Sequence, residues 1–125
     1  MYRRADDDRR SAEQYGCASI ASSYVEPVVF IEYMLDVARL CRERPLLHVM
    51  HSAGYVERAP LEEICRWIDA ACIDLKGFSP DFYRDVSEAE LQPVLRSIKQ
   101  VAGSGTHLEL VNLVVPTLND SQKML

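Results

Sequence analysis

Short apolar segments alternate with amphipathic segments along almost the whole chain, and this alternation constrains the fold more than any other feature. Four apolar segments have the length and composition of strands: 18–24, 46–52, 70–75 and 107–115. Between the first two, apolar side chains recur at helical spacing at Phe30, Met34, Val37 and Cys41. Because strands that alternate with helices are usually parallel, the sequence predicts an α/β fold with crossover helices.

The helices between the predicted strands are bounded by residues that start or stop helices. The first predicted helix spans 28–43 and ends before a proline, and the second begins at Pro60 and ends near residue 68. A short helix is predicted after Ser79, and a longer one begins near Gln92 and ends at Gly103. The predicted order is therefore β-α-β-α-β-α-α-β.

Two parallel architectures fit this order of elements. A closed eight-stranded barrel is excluded, because 125 residues fall short of the roughly 200 that it needs. A small flavodoxin-like sheet calls for a fifth strand, which the sequence does not offer. We therefore expect an incomplete arc of a (β/α) barrel, with about four parallel strands, two bare edges and one uncovered face. Residues 1–10 are highly charged and predicted to be irregular, and 11–125 are predicted to form one domain.

Composition narrows the choice of partners and location. The net charge of −5 argues against a nucleic-acid partner. No apolar run approaches the ~18 residues of a membrane span, and no secretory signal opens the chain, so we expect a cytoplasmic protein without a membrane partner. The four cysteines, Cys17, Cys41, Cys65 and Cys72, lack the spacing of a metal motif. They are expected to be reduced and buried, with no metal site.

Acidic and basic residues stand where the predicted strands end, which is where parallel folds bind ligands. Asp74 and Lys76 are two residues apart on one strand and so share a face. They either form a simple ion pair or contact a ligand. Glu109 lies inside an apolar strand, where it needs a partner or an edge position. Glu26 precedes Pro27, and is either a turn residue or a carboxylate held ready to bind an ammonium group.

Two further features are interpreted as structural. His48 and His51 are three residues apart and therefore point to opposite faces of a strand, which makes them a poor metal pair. The sequence Gly103-Ser104-Gly105 precedes a strand, whereas a phosphate-binding loop follows one.

Taken together, these segments resemble one known family. From about residue 11 to residue 121 the chain is similar to radical S-adenosylmethionine (SAM) enzymes, in particular AmmeMemoRadiSam-system proteins, which are similar to pyruvate formate-lyase activating enzymes. The matching segments are YGCASIASSYVEPVVFIEYMLDVARL, GYVERAPLEEICRWIDAACIDLKGFSPDFYRDV, LQPVLRSIKQ and LELVNLVVPTLND. The most specific parts are IDLKGF and VVP-x-LND.

The resemblance implies a partial (β/α)₆ barrel that uses SAM and a 4Fe-4S cluster held by C-x-x-x-C-x-x-C. Radical cleavage of SAM and hydrogen abstraction would be the chemistry of the parent family. By this resemblance, Glu26 and Pro27 bind the amino group of SAM, and Ser52 lies on the family's T-N-G-Y loop. Asp74 and Lys76 are a polar pair near SAM. The resemblance likewise places Glu109 on a strand that closes over the cofactor.

The chain departs from the family at several positions. The cysteine motif is absent from its 125 residues, and Cys17 lacks the two partners that would replace it. Val25 and Ala53 stand where the family usually has Asn, and Thr117 stands where it has Gly. Each change removes a polar group or a flexible backbone from a loop that would face the ligand. We therefore expect no cluster in this chain and no catalytic residues in it.

Two hypotheses follow. The chain is a fragment of a radical SAM enzyme, inactive by itself, whose parent activity activates or modifies a protein and whose partner is the missing barrel segment. Alternatively, it is a non-catalytic binding or scaffolding domain of the same ancestry that completes its open sheet with a protein partner.

Overall fold

The computed structural model describes residues 4–121. Its four strands are β1 Ser19–Ser22, β2 Leu47–Ser52, β3 Ala70–Asp74 and β4 His107–Val111. Its five α-helices are α1 Ala5–Gln14, α2 Ile31–Arg42, α3 Arg58–Trp67, α4 Pro80–Asp85 and α5 Leu91–Ser104. A 3₁₀ turn, Pro27–Phe30, leads into α2. No helix in the described range is long and apolar enough to cross a membrane.

The strands form one parallel sheet in the order β1-β2-β3-β4. Each new strand joins the same growing edge, as it does in a (β/α) barrel. A flavodoxin-like sheet would instead place the first strand between two others. The predicted α/β fold with an arc of four parallel strands and crossover helices is therefore confirmed.

The helices α2, α3 and α5 bury one face of the sheet. Met34, Ile64, Ile73 and Val101 are fully enclosed in this layer. Burial alternates along β2 and β3, so the intervening side chains lie on the opposite face. That second face is uncovered in the described part of the chain, and Leu47 there is 53% exposed. In the described range, one face of the sheet is therefore covered by helices and the other face is open.

The expectation of an irregular start is wrong from residue 5 onward, because α1 occupies Ala5–Gln14. Three aspartates lie in its first turn, where their negative charges interact favourably with the positive end of the helix dipole. Arg9 bridges Asp6 and Glu13 at N–O distances of 2.6 and 2.7 Å. Ala12 is buried against α2. The charges that suggested an irregular start therefore include intrahelical pairs, and the boundary predicted at residue 11 would cut the helix.

The other element boundaries differ by small amounts, with one exception. The predicted cap at Ser79 is confirmed, since its hydroxyl accepts the Phe82 amide at 3.1 Å. The last strand was predicted to reach residue 115 but ends at Val111. The chain beyond β4 forms a turn that is stabilised by hydrogen bonds of Asn119, which is buried. Its Oδ1 accepts the Val115 amide at 2.5 Å, and its Nδ2 donates to carbonyl oxygens on two segments.

Candidate functional site

A solvent-open cavity of about 440 Å³ lies at the carboxyl ends of β1, β2 and β3. Four of the six predicted site residues line it: Glu26, Ser52, Asp74 and Lys76. His51 lines the same cavity. The fifth predicted residue, Pro27, is buried at the start of the 3₁₀ turn and does not line it. Residues far apart in sequence thus converge where parallel folds usually bind ligands.

Glu26 ties the loop after β1 to the loop after β2. Its Oε1 accepts the Ser52 hydroxyl at 2.6 Å and the Val28 amide at 3.4 Å. Its Oε2 accepts the Ala53 amide at 2.9 Å. The Ser52 Oγ also accepts the Gly54 amide at 2.9 Å, which extends the network into the next turn. Because an ionised carboxylate offers about four acceptor positions, Glu26 retains limited capacity for a ligand.

Asp74 is the centre of a second polar cluster in the cavity. Its Oδ2 accepts from the Lys76 ammonium at 2.5 Å, and its Oδ1 lies 2.8 Å from His51 Nε2. His51 Nδ1 lies 3.4 Å from the Ser23 hydroxyl. Partial burial raises the pKa of Asp74, but the hydrogen bonds from Lys76 and His51 outweigh this and hold it below its ordinary value. Asp74 is therefore ionised at neutral pH.

The structure shows the ion pair, which is one of the two roles that the sequence left open for Asp74 and Lys76, and contact with a ligand stays a prediction. They form an ion pair, and the pair also faces a cavity. Lys76 is 38% exposed and Asp74 22% exposed, so solvent or a ligand reaches both. An exposed pair of this kind contributes little to stability by itself.

His51 is the residue of the site that sequence reasoning missed. The prediction that His48 and His51 face opposite sides of the strand is confirmed. His48 is fully buried under the helices, where burial lowers its pKa to about 4. His51 lies on the open side, opposite Cys72 in the register and diagonal to Asp74. Its place near the carboxyl end of a strand was the available signal in the sequence. Because His51 lines the cavity, we regard it as a candidate for contact with a ligand.

Glu109 stands apart from the other predicted residues. It lies on β4, an edge strand in the described range, and does not line the cavity. Its side chain is 69% exposed and lies 3.3 Å from His107 Nε2. The edge position satisfies the requirement that sequence reasoning identified, since water solvates the carboxylate.

The cysteines do not form a cluster site. No group of three or more His, Cys, Asp or Glu within residues 4–121 could hold a metal ion. Cys17 is exposed, which contradicts the expectation that all four would be buried. Burial raises the pKa of the Cys41 and Cys72 thiols, so both favour the protonated form that binds iron poorly. The residues present therefore do not fit a 4Fe-4S cluster.

The fold and the site define a class of protein: parallel (β/α) arcs that present a polar cavity at the carboxyl ends of their strands. No family model matches the chain. It is 40% identical over 110 residues to an uncharacterized protein of Methanocaldococcus jannaschii, a match that covers 88% of this chain and 32% of that protein. It is also 27% identical over 92 residues to the pyruvate formate-lyase-activating enzyme of Clostridium pasteurianum, covering 74% of this chain and 38% of the enzyme.

A solved structure has the same fold. It is a domain of pyruvate-formate lyase-activating enzyme from Bacteroides vulgatus, with a TM-score of 0.75 and 16% sequence identity. The similarity covers 84% of this chain and 65% of that domain. The chain spans about a third of the length of the curated relatives that it matches. The sequence match to the Clostridium enzyme supports the radical SAM-like ancestry that the sequence resemblance implied, and the solved structure shows the shared fold.

Proposed function

We propose that this chain is a SAM-binding portion of a radical SAM enzyme and that SAM occupies the cavity at the ends of β1, β2 and β3. The observation that carries this proposal is the convergence of Glu26, Ser52, Asp74 and Lys76 on one cavity. One relative named as a pyruvate formate-lyase-activating enzyme adds support, since it matches this chain in sequence.

The charges in the cavity suit this ligand. Glu26 and Asp74 supply two carboxylates and Lys76 one ammonium, so the cavity is net negative when His51 is neutral. SAM carries a sulfonium, an ammonium and a carboxylate, and is net positive. We assign the ligand carboxylate to Lys76, and the ligand ammonium to Glu26 or Asp74. Charge complementarity of this kind selects SAM over an uncharged thioether.

The proposed role stops at binding and orienting SAM. In the parent family, bound SAM supplies the radical that abstracts hydrogen from a substrate. Because the described cysteines do not fit a cluster, no electron-transfer step is assigned to this chain, which is proposed to be inactive alone. Its proposed partner is a barrel segment that carries the cluster ligands.

The test is a calorimetric titration of SAM into the full chain and three variants. Asp74→Asn and Lys76→Met each remove one charge that would contact the ligand, and each should weaken binding by about tenfold or more. Glu109→Gln is the matched control, because its side chain is exposed outside the cavity. Binding that is unchanged by both site variants would overturn the assignment of SAM to this cavity.

A separate reconstitution tests the proposed inactivity. The chain is incubated anaerobically with iron and sulfide, and both elements are then measured after desalting. We expect less than stoichiometric iron. Uptake of a stoichiometric cluster would contradict the proposal, whatever the outcome of the SAM titration.

The open face of the sheet supports a second candidate, a non-catalytic binding domain. In the described range, β1 and β4 each pair with a neighbour on one side only. Leu47 and Val111 are exposed at 53% and 43%. Sedimentation and thermal unfolding distinguish the two candidates. A cooperatively unfolding monomer that does not bind SAM would favour the binding domain.

A further inference from the structure

A second cavity, of about 420 Å³, lies beside the first one and differs from it in chemistry. Its size is within the range of small-molecule sites, about 300–1,000 Å³. Its walls are largely aromatic and aliphatic side chains: Tyr55, Phe82, Tyr83, Val94, Leu113 and Val115. Lys76 and Ser87 are the other polar residues that line it in the described range.

The walls of this cavity are fixed by specific contacts. A side chain at Gly77 would collide with the ring of Phe82, so that glycine allows Phe82 to lie directly against the end of β3. The Tyr83 hydroxyl accepts the Lys76 amide at 3.1 Å, which holds its ring in place. Asn119 donates to the carbonyl of Leu113, another lining residue, at 2.8 Å. These contacts position Phe82, Tyr83 and Leu113, which line the cavity.

The two cavities share a border formed by Ala53 and Lys76. The ammonium of Lys76 pairs with Asp74 in the polar cavity, while the residue also lines the apolar one. A lysine at such a border can present its methylenes to the apolar side and its charge to the polar side. A ligand in one cavity therefore lies next to a ligand in the other.

We propose that the apolar cavity binds a small molecule through an uncharged aromatic ring system of two fused rings or fewer. Continuity with the polar cavity makes it a site for a second ligand beside the first. This inference does not rest on SAM as the occupant of the polar cavity, because the apolar walls and their contacts are independent of it.

The chemistry of the walls favours a hydrocarbon-like ring over a purine. A purine carries several polar atoms on its edges, and each loses free energy when it leaves water without a partner. Ser87 and Lys76 are too few to satisfy such an edge, and the Tyr83 hydroxyl, which accepts the Lys76 amide, adds one O–H donor at most. An aromatic hydrocarbon has no such requirement and can stack or pack edge-to-face on Tyr55, Phe82 and Tyr83.

The test uses 2-naphthol as the probe and saturation-transfer NMR of the full chain, with adenosine as the purine competitor. Leu113→Ser removes a partly exposed apolar side chain from the wall. We expect about fivefold weaker binding, which corresponds to losing about half of the free energy gained when a leucine side chain is buried. Ala89→Phe fills the cavity and should abolish binding. Leu118→Ser is the matched control, since that exposed leucine lies in the turn that follows Leu113 but does not line the cavity.

Each outcome decides the proposal. Weaker binding in the first variant, none in the second and no change in the control would support it. It is overturned if adenosine displaces 2-naphthol at lower concentration than 2-naphthol itself binds, or if Ala89→Phe binds the probe as well as the wild type does. Asp74→Asn separates this proposal from SAM binding, because Asp74 lines the polar cavity and not the apolar one, so the change should weaken SAM while leaving 2-naphthol bound. Circular dichroism of each variant shows that it is folded.

Discussion

Glu26→Gln is the change that most directly tests how the site is built. The substitution keeps the size of the side chain but replaces one carboxylate oxygen with an NH₂ group. An NH₂ group donates hydrogen bonds and does not accept them. In the wild type the two carboxylate oxygens accept from the Ser52 hydroxyl at 2.6 Å and from the Ala53 amide at 2.9 Å. With the NH₂ group turned toward Ala53, two donors face each other. With it turned toward Ser52, the hydroxyl must turn away and loses the acceptor to which it now donates.

The expected cost follows from the hydrogen bonds that are lost. A hydrogen bond to a charged group contributes about 1.5–3 kcal/mol, and partial solvent access at Glu26 lowers this to about 1–2 kcal/mol. With a urea m-value of about 2 kcal/mol/M, the midpoint of unfolding should fall by about 0.5–1 M. Such a change is a substantial part of the stability of about 5–15 kcal/mol that domains usually have.

The assay is urea unfolding followed by the fluorescence of Trp67, the single tryptophan of the chain. Glu43→Gln is the control, because that exposed residue carries the same change of charge at the end of α2. Ser52→Ala removes the same hydrogen bond from the other side. The double variant should therefore lose less stability than the sum of the two single variants. Strict additivity, or an unchanged midpoint in Glu26→Gln, would refute the described network.

Three further predictions concern the surroundings of the site. Asn119→Ala removes three hydrogen bonds from a buried side chain and should cost about 2–3 kcal/mol in urea unfolding. A loss under about 0.5 kcal/mol would mean that the turn is held by other contacts. Gly54→Ala should cost about 1–3 kcal/mol and lower the melting temperature, because φ is +71° and a Cβ would lie 2.8 Å from Ile73. Gly103→Ala, in open space on α5, should instead be neutral or stabilising, and equal effects of the two would contradict this account. Burial lowers the pKa of His48 from its ordinary 6.5 to about 4, so the unfolded state binds the proton more readily between these values. The free energy of unfolding should fall by on the order of 3 kcal/mol as the pH drops from 6.5 to 4, and His48→Asn should remove this share of the pH dependence.

The order of strands and helices could be predicted because each element carries its own local signal. Apolar runs, prolines near helix starts and the Ser79 cap are read within a few residues of sequence. The end of β4 could not be read this way. It depends on Asn119, whose hydrogen bonds reach the Lys76 carbonyl 43 residues away. The helical start was missed because its charges pair along the helix, which composition does not reveal.

The site was predictable to the same extent. Side chains alternate between the two faces of a strand. This alternation predicted that Asp74 and Lys76 share a face and that the two histidines lie on opposite faces. It could not give the contact between His51 and Asp74, because that depends on the register of two separate strands. Glu109 illustrates a related limit. A strand pattern indicates where a carboxylate lies in its own strand, but not whether that strand ends up at the edge of the sheet.

The central claim is that the polar cavity binds SAM through its charges, and the most direct test compares two ligands on the wild-type chain. S-adenosylhomocysteine lacks the methyl group and the sulfonium charge but is otherwise the same molecule. Because the cavity is net negative, calorimetry should give one site per chain and about tenfold tighter binding for SAM. Equal affinities, or binding of neither ligand at millimolar concentration, would contradict the account.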